Sequence, residues 1–171
     1  MKNYKLFFWV ILIQVFILNN IQFSGYVNPY YYIIFIITLP PRINKLYSLI
    51  ISLLLGLIID LFSHSHGMHA FCCLLIIYFK IIWTSKKDID ENINVINFSL
   101  QQYILFIIPF IFIHHFSLFF LERFSIKEIF PVIKLTISSA FFTGVLLIIH
   151  KLFILRKWWR NMIFMPIVDI V

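Results

Sequence analysis

Asp60 is the one acidic residue of this chain that is tied to an apolar run, and it closes the segment Gly56-Leu-Ile-Ile-Asp60. A charged side chain at membrane depth costs roughly 2.5–3.5 kcal/mol on insertion scales, so a carboxylate there needs a reason. Two chemistries are open to it. It can hydrogen-bond a neighbouring helix or cap the turn 63–67, or it can contact a partner or an ion pathway. Directly after it come His64-Ser-His66-Gly-Met-His69, with Cys72 and Cys73 one turn further on. Imidazoles and thiols are the ligand types of a divalent metal. A site would need a fourth ligand and deprotonated thiols, yet the cysteine pair is embedded in apolar sequence. The expectation is therefore interfacial histidines, small buried cysteines and no metal or cofactor. His114, His115 and His150 fall inside apolar runs. A proton relay through them requires an acid within reach, and Asp60 serves only if the fifth run packs beside the third. Otherwise they are helix-packing histidines, which is the expected reading. No phosphate-binding loop, His-Glu-x-x-His, Gly-x-Ser-x-Gly or paired acids at glycosidase-like spacing is present, and nothing combines a nucleophile with a base and an oxyanion donor. The chain is expected not to be an enzyme.

The elements that must position these residues follow from composition. Hydrophobic residues make up 62% of the 171 and charged residues only 12%, against about 25% in a soluble domain. A soluble globule of this size has no interior large enough for so much Ile, Leu and Phe. We expect an all-α, polytopic membrane protein: a single integral domain over 1–171, built as a six-helix transmembrane bundle. Its apolar segments run approximately over 4–23, 26–39, 46–62, 68–83, 98–121 and 130–155. The second is short, with Pro29 near its start and Pro40-Pro41 at its end, so full crossing is least secure there. Pro109 predicts a kink in the fifth. Lys2 and Lys5 precede an apolar stretch without a small-x-small cleavage site, which predicts an uncleaved first span.

Ser48, Ser52, Gly56 and Asp60 are spaced four apart and form one slowly curving stripe on the third segment, small enough for a neighbouring helix to approach closely. Ala140 and Gly144 make a second small pair, a candidate partner for that stripe. With the N-terminus inside, the basic residues divide 11 to 3 between the two sides, predicting cytoplasmic N- and C-termini. The net charge of +7 is scattered in short clusters between the runs and forms no nucleic-acid face. Lys80, Lys86, Lys87, Asp88, Asp90 and Glu91 read as a mixed-charge cytoplasmic loop, and the tail Arg156-Lys-Trp-Trp-Arg160 as an interface anchor in the lipid bilayer.

Gly56-Leu57-x-x-Asp60-Leu61-x-Ser63, a turn, then Gly67-x-His69-Ala70 resembles the MreD family of bacterial rod shape-determining membrane proteins. Leu39-Pro40-Pro41-Arg42 is similar to that family's basic loop after the second helix. The likeness is specific over about 30 residues; beyond them it is one of hydropathy. It implies a non-enzymatic inner-membrane component of the cell-wall elongation complex, acting in rod shape maintenance beside the bitopic protein MreC. The further partners it implies are the actin-like MreB filament, the polymerase RodA and its transpeptidase. It also implies a six-helix fold like the substrate-binding component of ECF vitamin transporters, which makes vitamin capture the rival function. Ser52, Gly56, Asp60, Gly67, His69 and Ala70 are the structural or partner-contact candidates.

Overall fold

The computed structural model of the protein describes residues 3–21, 27–41, 43–86 and 95–163, with side chains to residue 153 in the last helix. The expected basic residue Arg42, the loop charges Lys87, Asp88, Asp90 and Glu91, and the side chains of 156–160 lie outside it. The described residues are helical and contain no strand. The helices are α1 (Asn3–Phe16), α2 (Ile33–Thr38), α3 (Lys45–Ser63), α4 (Met68–Lys86), α5 (Leu100–Arg123) and α6 (Ile129–Ile163). Four of them, α3 to α6, are long and apolar enough to cross a membrane. The protein is thus an all-helical membrane protein.

Local sequence explains the helix limits. Asn44 begins α3 by accepting the Leu46 N–H at 2.8 Å through its side chain. His64 ends that helix in the left-handed conformation, φ 54°. Ser99 and Gln102 form a reciprocal capping box at the start of α5, which runs unbroken through Pro109 to Arg123. Successive helices pack as neighbours, α3 on α4, α4 on α5 and α5 on α6, while α1 lies on α3.

The first two expected segments differ from the sequence reading. Among its described residues the segment 4–23 holds the α-helix Asn3–Phe16 and a 3-10 turn at Leu18–Asn20; that α-helix, about 21 Å long at 1.5 Å per residue, falls short of the ~30 Å hydrocarbon core. Among its described residues the segment 26–39 is α-helical over the six residues Ile33–Thr38. That short helix, α2, is the centre of the molecule: Tyr32 to Ile37 are all buried, and it packs against α1, α4 and α5. Non-helical backbone at membrane depth is tolerated where protein surrounds it. This arrangement meets that condition.

The stripe expected on α3 is buried as a unit, Ser48, Ser52, Gly56 and Asp60 together. Its partner is α4, not α6. A Cβ on Gly56 would stand 2.7 Å from the Ala70 nitrogen and 2.8 Å from the His69 carbonyl oxygen, whereas one on Gly144 would meet nothing within 4 Å. Gly144 opens instead onto an apolar groove of about 330 Å³ between α5 and α6. The inward face of α6 carries Thr136, Ser139, Thr143 and Lys151, all buried.

Candidate functional site

Asp60 sits in the last turn of α3, and the chain reverses within four residues to begin α4 at Met68. The reversal uses three left-handed residues, His64 (φ 54°), His66 (φ 52°) and Gly67 (φ 91°). Only glycine takes such angles without cost, so the two histidines store roughly 1–2 kcal/mol each. The Asp60 carboxylate holds the turn shut. Oδ1 accepts the Ser65 hydroxyl at 2.5 Å and the His69 N–H at 2.9 Å. Oδ2 accepts the Ala70 N–H at 2.9 Å. The first N–H groups of a helix have no partner within it and carry its positive dipole end, so a carboxylate is well matched there. Gly56, one turn back, allows α4 to come close enough for these bonds to form. Gly56, Asp60, Gly67, His69 and Ala70 thus make one joint. Ser52 lies deeper in the same seam, its hydroxyl buried without a partner.

Asp60→Asn keeps one carbonyl oxygen and turns the other acceptor into a donor facing a donor. We expect it to cost about 1–3 kcal/mol, read as a lower unfolding midpoint in detergent. An unchanged midpoint would mean that the corner is not held by this carboxylate.

From the joint a hydrogen-bonded chain enters the core. The Tyr32 hydroxyl lies 2.7 Å from His69 Nδ1 and 2.6 Å from His114 Nε2. Tyr30 packs its ring against His69, His114 and His115, at centroid distances of 5.2, 5.5 and 5.2 Å. His115 reaches the Ile111 carbonyl at 2.8 Å and the Thr143 hydroxyl at 3.0 Å, and His150 reaches the Tyr31 hydroxyl at 2.5 Å. Each of the three histidines that fall inside apolar runs thus has a hydrogen-bond partner, while His114 Nδ1 is buried without one among the described residues. His114 connects to the Asp60 corner through Tyr32 and His69, although α5 packs on α4 instead of α3. Tyr32→Phe strands one nitrogen on each of two buried imidazoles. The expected loss is about 1–3 kcal/mol, with the 15N shifts of both rings moving together; a change at one ring alone would break the proposed chain.

The remaining polar side chains serve the backbone around α2. Gln14 on α1 donates to the Pro29 carbonyl at 3.1 Å and accepts the Tyr31 N–H at 2.8 Å. Thr143 on α6 accepts the Tyr30 N–H at 2.9 Å. At the other end of α2, the Lys80 Nζ donates to the carbonyls of Ile36, Ile37 and Leu39 at 2.8, 2.8 and 2.6 Å. Thr38 returns its hydroxyl to the Ile34 and Phe35 carbonyls. Three carbonyls match the three N–H donors of an ammonium. Lys80 was expected in a solvated loop; it is instead a buried residue of α4 that caps a neighbouring helix. Lys151 is likewise buried in α6, 3.5 Å from the Val95 carbonyl and 5.4 Å above the Tyr103 ring.

Cys72 and Cys73 are buried thiols, as their apolar setting suggested. Among the described residues no three His, Cys, Asp or Glu side chains are grouped to hold a metal ion. Sequence reasoning missed Gln14, Tyr30, Tyr32, Thr143 and the capping role of Lys80. The available signal was the run Tyr30-Tyr31-Tyr32 inside a segment too short to satisfy its own backbone.

A polar cavity of about 300 Å³ opens beside the joint. The 3-10 turn contributes Asn19 and Asn20, the stretch before α2 contributes Asn28 and Tyr30, the first turn of α4 contributes His69, and the end of α5 contributes Glu122. No family model, curated protein or solved structure matches the chain.

Proposed function

We propose that the protein is a non-enzymatic inner-membrane component of the bacterial cell-wall elongation complex, working in shape maintenance as its resemblance to MreD proteins implies. One observation carries the reading. Five of the residues quoted for the resemblance, Gly56, Asp60, Gly67, His69 and Ala70, converge in one joint, while Leu57 and Leu61 of the same motif are exposed. In this proposal α1 with its following turn and α2 with its flanking backbone count as the first two of six passages, in the manner of an ECF substrate-binding component. The basic residues Lys45, Lys86 and Lys151 lie at the end opposite the joint, while Arg123, Lys127 and Lys134 share the joint's end. The joint then faces the periplasm, with both termini cytoplasmic.

The MreC-like bitopic protein would dock at that corner. Contact with the RodA-type polymerase and its transpeptidase, and with the MreB-type filament, would be direct or through that partner. A bundle with a polar interior can couple two binding events by favouring one of two packings, and such coupling acts reciprocally on both partners. Depletion in the host should turn rods into wider or rounded cells. Asp60→Asn should leave membrane insertion intact and reduce co-purification of the MreC-like partner. Normal cell width after depletion, or unaltered capture by both Asp60→Asn and Gly56→Leu, would remove the reading.

The polar cavity favours a second reading, capture of a vitamin as in an ECF-type substrate-binding component. Purification of the protein with a vitamin bound is the result that would prefer it over the first.

A further inference from the structure

The exposed side of α6 carries two features that the joint does not use, an unpaired cation and an apolar groove. Lys134 is exposed, and its ammonium makes no hydrogen bond or ion pair among the described residues; only its backbone carbonyl is engaged, by the Ser138 hydroxyl at 3.0 Å. Lys127, in the turn before α6, is exposed and equally unpaired, while Arg123 and Glu128 pair with each other. The remaining charge at this end, Glu122, lines the polar cavity instead. Helix residues seven and eleven positions apart fall within about 20° of one face, so Lys134 shares a face with Phe141 and Val145. Those two, with Ile137, form one wall of the groove, and Ile104, Ile108 and Phe112 of α5 face them. The groove is open at Gly144, where a Cβ would meet nothing within 4 Å. From Ile137 to Ile148 it follows α6 for about 17 Å, close to the depth of one leaflet, half of the ~30 Å hydrocarbon core. The level of Lys134 suits a headgroup. The apolar stretch from Ile126 to Phe153 has 28 residues, about 42 Å and so longer than that core. About twenty residues counted outward from Phe153 cross it and end near Lys134. A long basic side chain at that boundary reaches the headgroup layer.

We propose that the groove between α5 and α6 holds an acyl chain of an anionic phospholipid from the leaflet at the joint's end, its phosphate against the Lys134 ammonium, with Lys127 adding positive charge from the turn above. The cation at the mouth selects this occupant over a partner helix. A phospholipid joins an anion to an apolar chain about one leaflet long, whereas a transmembrane helix continues past the mouth and leaves the ammonium without a counter-charge. The inference requires the chain to lie in a membrane and is independent of the partners and of the vitamin proposed above. Normal cell width after depletion leaves it standing, and loss of the lipid preference leaves the shape-maintenance reading standing.

The full-length protein, stripped of lipid in a non-ionic detergent, is titrated with palmitoyl-oleoyl phosphatidylglycerol and with phosphatidylcholine of the same chains. The unfolding midpoint is followed, together with the lipid retained in native mass spectrometry. Phosphatidylglycerol should raise the midpoint saturably, since a ligand of the folded state stabilises by mass action, and a single molecule should be retained per chain. Phosphatidylcholine should act roughly tenfold more weakly, the scale of two lysines facing an anionic headgroup. Glycerol phosphate, the headgroup without chains, should have no effect. Lys134→Gln should reduce the preference for phosphatidylglycerol roughly fivefold without moving the lipid-free midpoint. Gly144→Leu, whose side chain enters open space, should weaken both lipids by filling the groove. Equal responses to the two lipids, a preference undiminished in Lys134→Gln, or a response untouched by Gly144→Leu overturns the proposal. So does a lipid-free dimer that Gly144→Leu converts to monomer, which would assign the groove to a second copy of the chain.

Discussion

Lys80→Met should be the most damaging single change outside the glycines, lowering stability by about 3–5 kcal/mol. Hydrogen bonds to a charged group contribute about 1.5–3 kcal/mol each, and Lys80 makes three within 2.8 Å. Their sum overstates the effect, since the three share one nitrogen and neighbouring contributions do not add. Methionine matches the length and apolarity of the lysine stem but leaves the carbonyls of Ile37 and Leu39 with no donor in a dry interior. The loss approaches the whole stability of an ordinary domain, about 5–15 kcal/mol. Hydrogen exchange should locate the damage: amides of α2 lose protection first, because that helix is too short to persist by itself. Lys80→Arg should rescue only in part, since a planar fork cannot converge on three carbonyls as a compact ammonium does. A Lys80→Met protein that melts within about 1 kcal/mol of the parent would show that α2 is held by its apolar packing alone.

Gly56→Leu should be comparably severe for a different reason. The obstacles to a Cβ there are the Ala70 Cα and nitrogen and the His69 carbonyl oxygen. All three are backbone atoms, so no rotamer change relieves the contact and α4 must move. Overpacking of this kind costs typically 1–3 kcal/mol and sometimes more. Movement of α4 also lengthens the two N–H bonds to Asp60, so the charge-assisted bonds are lost with the packing. Even Gly56→Ala meets the same atoms. Gly67→Ala is the informative contrast: its Cβ would enter open space, and the penalty comes only from φ 91°. We expect Gly56→Ala to lower the unfolding midpoint more than Gly67→Ala. The reverse order would place the strain in the turn and not in the helix contact.

Much of this joint was legible in the sequence because it is local. Gly56, Asp60, Gly67, His69 and Ala70 lie within fifteen residues, and a four-residue spacing fixes a helix face without tertiary knowledge. The long helices were legible for a similar reason, as hydropathy and caps are short-range signals. The interior was not. Tyr32 meets His69 and His114 across 37 and 82 residues, and Tyr30 meets Thr143 across 113. No periodicity carries such pairings. Lys80 misled for the opposite reason, because a cation near the end of an apolar run reads as a topology signal. Its actual role depends on a neighbour with exposed carbonyls, and only the three-dimensional arrangement supplies one. The Gly144 expectation failed because small-residue spacing marks a possible contact without naming the partner.

The construction around α2 also constrains how the protein is made. Residues 36 to 39 leave the ribosome long before Lys80, which lies 41 to 44 positions later, and Thr143 follows much later still. A nascent segment with bare carbonyls has no stable place in lipid by itself. It must wait in a wet or chaperoned compartment of the insertion apparatus until the fourth helix is synthesised, and its N-terminal side until the sixth. Biogenesis should therefore release the helices as a late, collective step, and chains truncated before Lys80 should be recovered still engaged by the insertase or already degraded.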